Sequence, residues 1–197
     1  ARRRGRRGAG REGCERPAAA AGAGRAKSAG GERGRVSGAV GPDPLPVSLT
    51  RRRLWFVNRL EPDASAYNVP LGRDVNGPAV VRALQRAVDD VVARHEPLRT
   101  RFPMEQGEPI QQVIDADDAR VPFLAIDAGN ADVDTVVAHE ATRPFDIARE
   151  LPLRALVLRV ADDRHVLVLT LHHIAADGWS LAPFARDLSL AYTAQLD

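Results

Sequence analysis

The sequence predicts an α/β fold, a two-layer sandwich in which a mixed sheet is covered by helices. Two patterns carry this expectation. Val80, Leu84, Val88, Val91 and Val92 recur at helical spacing, so one side of a helix is apolar and must be buried. Farther along, the β-rich runs 153–160 and 165–171 flank the polar turn Ala161-Asp162-Asp163-Arg164, the pattern of a hairpin. No GxGxxG or GxxxxGK[ST] loop is present to suggest a nucleotide cofactor.

Residues 1–41 stand apart from this pattern. They are mostly Arg, Gly and Ala with almost no large apolar side chain, so nothing there offsets the entropy of ordering them, and they read as a disordered leader or linker. They hold eleven Lys+Arg against three Asp+Glu, a net of +8, which leaves −6 for the other residues within a total of +2. The basic balance therefore belongs to the leader, and 42–197 shows no basic stripe for nucleic acid. The leader in turn lacks the aromatic residues that base stacking would use. Cys14 is the only cysteine, which excludes an internal disulfide and a cysteine-framed metal site. No window offers the roughly eighteen apolar residues of a membrane span, and no hydrophobic segment follows the leader's Arg residues as in a signal peptide. A cytoplasmic protein without membrane or nucleic-acid partners is the expectation.

Order is expected from Pro42 onward, over about 155 residues, enough to bury roughly 70% of the surface of the unfolded chain. Ser48 or Thr50 can cap a helix through Leu54, Trp55, Val57 and Leu60 that ends at Glu61-Pro62-Asp63. Residues 67–75 alternate as a strand does, and Gly77-Pro78 introduces the amphipathic helix, which is expected to pack on the sheet. Strand-like runs follow at 98–102, 109–114 and 121–126. A helical pattern through Val133, Val136, Val137 and Ala141 then stops before Pro144. After the hairpin, 180–196 reads as a helix with Leu181, Phe184, Leu188, Leu190 and Tyr192 largely on one side and Ser180 as its cap.

The second hairpin strand delivers His172 and His173, and Asp177-Gly178 follows four residues after the second of them. Strand alternation sends the two imidazoles to opposite sides, so only one can face a given cleft. A neutral imidazole held in place can take a proton from a nucleophile when a neighbouring acceptor fixes its tautomer, and Asp177 is the nearby carboxylate. Gly178 is expected where the backbone turns sharply and a substrate arm passes close to the main chain, with Trp179 anchoring the loop in the core. A metal site is disfavoured, because adjacent strand residues diverge and no further His or Cys cluster accompanies them.

The string Leu171-His172-His173-Ile174-Ala175-Ala176-Asp177-Gly178-Trp179-Ser180 resembles the HHxxxDG motif of condensation domains in nonribosomal peptide synthetases. Arg94-His95-Glu96-Pro97-Leu98-Arg99-Thr100-Arg101-Phe102 is similar to that family's RHExLRTxF segment. Ser48-Leu49-Thr50-Arg51-Arg52-Arg53-Leu54-Trp55 resembles its opening SxAQxRLW motif, with Thr50 in place of Ala and Arg51 in place of Gln. Together with Glu61-Pro62 and Tyr67-Asn68-Val69-Pro70, the resemblance extends over residues 44–197.

The resemblance implies one lobe of the chloramphenicol-acetyltransferase-like fold, the N-terminal lobe of a condensation domain over 42–197, with the C-terminal lobe absent. It implies His173 as the catalytic group and His172 as its support. Asp177 is implied to be structural, in a buried pair with Arg53. Arg94, His95, Glu96 and Arg99 are expected to be a polar cluster at a helix end, supporting the fold. The implied reaction is amide formation between a donor acyl thioester and the amine of an acceptor aminoacyl thioester. No cofactor is expected to bind the lobe directly, because both substrates arrive on phosphopantetheine arms. Peptidyl and aminoacyl carrier protein domains and the adenylation domain of the same synthetase are the implied partners, and a lobe without its counterpart is expected to be inactive. An epimerization domain or a stand-alone HxxxDG acyltransferase is the catalytic alternative, and a non-catalytic carrier-protein interaction remnant the other. Heterocyclization domains, with Asp in place of the His pair, are disfavoured.

Overall fold

A computed structural model of the protein describes residues 45–77, 80–129 and 131–196. The leader over 1–41, with Cys14, lies outside the described residues, as does Pro78. The first elements are a short strand β1 (Leu45–Pro46) and helix α1 (Leu49–Leu60). Ser48 caps α1 as expected, its hydroxyl accepting from the Arg51 N–H, and Glu61 closes it. Strand β2 (Asn68–Asn76) and helix α2 (Val80–Arg94) follow.

Residues 98–102 do not form the expected strand. A 3-10 turn, Glu96–Arg99, comes first, and only Thr100–Arg101 pair as β3. Pro97 in the first turn is preset for a helical start, and the Thr100 hydroxyl donates to the Glu96 carbonyl at 2.8 Å, closing that turn. Strands β4 (Met104–Glu105) and β5 (Glu108–Val113) then make a hairpin absent from the sequence reading. Its loop is Gln106-Gly107, with φ of 51° and 86°. Two left-handed residues in a two-residue loop match the right-handed twist of the strands, and Gly107 adopts that conformation without steric cost.

The remaining elements are β6 (Phe123–Asp127), α3 (Val133–Thr142), β7 (Leu153–Ala161), β8 (Arg164–His172) and α4 (Leu181–Ala194). The main sheet has the order β2-β8-β7-β6. Its first two pairings are antiparallel and β6–β7 is parallel, so the sheet is mixed, as predicted. The β7–β8 hairpin turns at Asp162-Asp163, within the predicted turn. Helix α3 makes the crossover that a parallel pair requires.

Both faces of the hairpin are buried. Leu153, Ala155, Val157, Leu167, Leu169 and Leu171 point to one face, against α2 and α4. Leu156, Leu158 and Val168 point to the other, against Val133, Val136 and Val137 of α3. That is why 153–160 reads as a largely apolar run interrupted by Arg154 and Arg159 rather than as an alternation. A smaller cluster of Phe102, Phe145, Ile147 and Ile174 lies beneath α1, where Leu54 and Trp55 pack on it.

Leu158 is fully buried, whereas Leu190 is 64% exposed although the helical pattern placed it on the packed side. Leu158→Ala is expected to cost about 2–5 kcal/mol in chemical denaturation, and Leu190→Ala less than about 0.5 kcal/mol. Equal losses would contradict this packing.

Candidate functional site

The site is built at the end of β8. The His172 N–H donates to the Pro152 carbonyl at 3.0 Å, and the next N–H, of His173, donates to the opposite neighbour, the Tyr67 carbonyl, at 2.8 Å. These bonds hold the backbone of both residues and leave their side chains to diverge. His172 is 2% exposed, whereas His173 opens the turn after the strand and is exposed. The opposition expected from alternation is what the structure has.

His172 lies edge-on to the Phe145 ring, centroids 5.8 Å apart, and 6.3 Å from Tyr67. Its Nδ1 accepts from the Ile174 N–H at 3.1 Å, which assigns the proton of the neutral ring to Nε2. Burial, followed by the charges of His173 and Arg154, lowers its pKa to about 4. This histidine is a neutral wedge under the turn, unsuited to proton transfer near neutral pH.

His173 instead faces a cleft of about 720 Å³, lined also by Thr50, Arg53, Tyr67, Pro97 and Asp177. Residues from all three motif segments thus converge on one opening. The segments are held by bonds across the small cluster. Trp55 Nε1 donates to the Phe102 carbonyl at 2.9 Å, the Phe102 N–H to the Ile147 carbonyl at 2.8 Å, and the Asn58 amide to the Phe145 carbonyl at 3.2 Å. Arg51, the departure from the opening motif, donates to Gln111 Oε1 and so ties α1 to β5.

Four expectations need correction. Among the described residues no ion pair joins Asp177 to Arg53, and both are exposed. Asp177 instead closes its own loop. Its Oδ1 accepts from the Ser180 N–H at 2.9 Å, its N–H donates to Ser180 Oγ at 2.7 Å, and these Ser180 groups hold its carboxyl below the usual range. A reciprocal pair three residues apart satisfies the carboxylate locally, so it needs no distant arginine. Ser180, engaged there, makes no side-chain cap to α4. Trp179 does not anchor the loop in the core; it is 91% exposed, because residues 178–180 turn outward before α4 begins. Gly178 avoids the left-handed region, a Cβ there would meet nothing within 4 Å, and it is not among the residues lining the cleft, so neither a sharp turn nor a close approach requires glycine there.

The Arg94 cluster engages the protein's own groups. Arg94 Nε and His95 Nε2 lie 3.2 and 3.0 Å from Asp187 Oδ2 on α4. The hydrogen bond from Arg186 lowers the Asp187 pKa most, with His95 and Arg94 adding to it. Arg99 donates to the Ile114 carbonyl. These contacts fasten α4 and β5 to the end of α2 and hold Pro97 at the cleft wall.

Sequence reasoning missed Arg154 and the segment it holds. Arg154 is 3% exposed. It makes bonds of 3.2 and 2.8 Å to the two carboxylate oxygens of Glu150, donates to the Arg143 and Pro144 carbonyls, and stacks 3.8 Å from the Phe145 centroid. The available signal was an arginine in the second place of the strand, within the otherwise apolar stretch 153–158. Among the described residues no cluster of three or more His, Cys, Asp or Glu is placed to hold a metal, and no helix is long and apolar enough to cross a membrane.

The depressed His172 pKa has a pH signature. Between pH 6.5 and about 4 the unfolded chain binds a proton that the folded site excludes, so stability is full above that window and falls as pH drops through it. The loss is expected to be on the order of 3 kcal/mol in urea titrations. His172→Gln should flatten this slope, and an unchanged slope would contradict the assignment.

Comparison with known proteins agrees with the geometry. The family model described as Condensation domain matches residues 43–197. The isonitrile lipopeptide synthase of Mycobacterium tuberculosis is 45% identical over 157 residues, covering 78% of this chain and 6% of the synthase. The X-domain from teicoplanin biosynthesis, solved in complex with OxyB, is 32% identical with a TM-score of 0.69, covering 79% of this chain and 34% of that one. The first condensation domain of the calcium-dependent antibiotic synthetase, solved with a substrate analogue, is 26% identical with a TM-score of 0.66, covering 79% and 38%. The chain thus spans a small part of the curated relatives it matches and just over a third of the solved neighbours. With its histidine pair, cleft and sheet agreeing with the match over 43–197, the chain belongs to the condensation-domain family of nonribosomal peptide synthetases.

Proposed function

We propose that residues 42–197 are the N-terminal lobe of a condensation domain and that His173 acts on the amine of an acceptor aminoacyl thioester. The observation that carries this reading is the exposure of the His173 ring at the cleft, with its backbone fixed by the Tyr67 carbonyl. The amine attacks the thioester carbonyl of the donor, the C–N bond forms, the C–S bond breaks, and the amine proton ends on the departing thiol. His173 deprotonates or orients the amine along this path.

Holding both tethered substrates in attack geometry supplies roughly 7–11 kcal/mol of the acceleration, more than proton transfer alone. The substrates arrive on phosphopantetheine arms of peptidyl and aminoacyl carrier proteins, and the adenylation domain of the same synthetase loads them. Pro97, Tyr67 and Asp177 form one wall of the passage. The opposite wall belongs to the remainder of the domain, which this lobe needs in order to exclude water and align two thioesters.

A second reading is a lobe that recruits another protein without reacting. The likeness to the X-domain solved with OxyB favours it. Turnover decides between the two. With loaded donor and acceptor carrier proteins, a complete condensation domain containing these residues is expected to form the amide, and His173→Ala to slow it by about 10²–10⁴-fold. Amide formation unaffected by His173→Ala would overturn the assignment, and a complete domain with no turnover would favour recruitment. The 197-residue chain alone is expected to give no amide product by mass spectrometry; measurable product would refute the need for a second wall.

A further inference from the structure

We propose that Arg154 is a positioning residue for His173, acting through Phe145 and His172. The role in turnover rests on the condensation reading above; the structural coupling stands without it.

Arg154 is the one charged residue placed within the buried run Leu153–Leu158 of β7. It pairs in register with Thr170, and alternation puts Arg154, Thr170 and His172 on the same face of the sheet, the one that α3 covers farther along. A buried guanidinium is tolerated only when its donors are used, and here Nε, Nη1 and Nη2 all are. Two of its acceptors are the Arg143 and Pro144 carbonyls, which belong to no strand or helix. The Arg143 carbonyl also accepts from Asn68 of β2, at 2.9 Å. The guanidinium therefore fixes where the segment after α3 crosses beneath the end of β8.

That crossing sets the place of Phe145, which is sandwiched functionally between two partners. Arg154 stacks on its face at 3.8 Å, and the His172 ring meets it edge-on at 5.8 Å. His172 in turn receives the Ile174 N–H and so shapes the turn that starts at His173. The groups around the His172 ring are Tyr67 from the segment before β2, Phe145 from the crossing segment, Arg154 from β7 with Glu150 bound to it, and His173 on its own chain. Arg154 contributes positive charge there, which opposes protonation of His172 and preserves the acceptor at Nδ1. A lysine at 154 would keep the charge but lose the planar fork and its stacking.

The test is imidazole and amide NMR on the full chain, with His172 assigned by His172→Gln, alongside turnover in a complete condensation domain containing these residues. In Arg154→Lys the Ile174 amide and His172 ring signals are expected to shift, and kcat to fall at least tenfold with KM little changed. In Arg154→Met the midpoint of His172 titration is expected to rise from about 4 while staying below 6.5, because burial remains. Unshifted His172 and Ile174 signals in a folded Arg154→Lys chain would overturn the coupling. Shifted signals with unchanged kcat would overturn the positioning role, while leaving the condensation reading to stand on His173→Ala. Should Arg154→Met fail to fold, Phe145→Leu, which removes the ring but leaves the ion pair, must shift the same two signals or the proposal falls.

Discussion

A strand buried on both faces has no freedom over where its last side chains go. Strand β8 is such a strand, flanked by β2 and β7 and covered by α2 and α4 on one face and by α3 on the other. Its period of two forces His172 inward, and the hydrogen bonds from His172 to Pro152 and from His173 to Tyr67 carry that constraint to the first residue beyond the sheet. A slip of one residue would exchange the roles of the two imidazoles, and it would also send Leu167, Leu169 and Leu171 to the wrong face. The apolar burial of the hairpin therefore guarantees the orientation of the polar pair.

Polar groups around this site are satisfied in two different ways. Asp177, at the surface, is closed by its near neighbour Ser180, so its loop keeps its shape without help from α1. Arg154, in the interior, cannot rely on water, and it gathers Glu150, two carbonyls and an aromatic face. The first arrangement leaves the shape of the Asp177 loop independent of Arg53. The second links the segment after α3, the aromatic ring of Phe145 and the buried imidazole into one unit, so that the turn bearing His173 rests on a rigid floor.

What was legible in the sequence follows the same division. Local signals were read well: the Ser48 cap, the amphipathic face of α2, the β7–β8 hairpin and its turn, and the divergence of His172 and His173 all depend on neighbours within a few residues or on simple periodicity. The Gln106-Gly107 turn was missed because its strands are too short to show alternation, and the strand expected over 98–102 gave way to the helical start that Pro97 favours. Trp179 was expected to anchor the loop in the core, whereas it and the residues just before it are exposed to solvent. Apart from Glu150, the partners of Arg154 and Phe145 were invisible for another reason, since they come from α1, β8 and the segment after α3, and only the folded chain brings those together.

The most direct test of this account is acylation of the histidines of the folded chain with diethyl pyrocarbonate, read by fragmentation mass spectrometry that separates adjacent residues. The account predicts rapid labelling of His173 and protection of His172 until the chain is unfolded. Equal labelling of the two rings in the folded protein would contradict it, because neither could then be assigned to the interior or to the cleft.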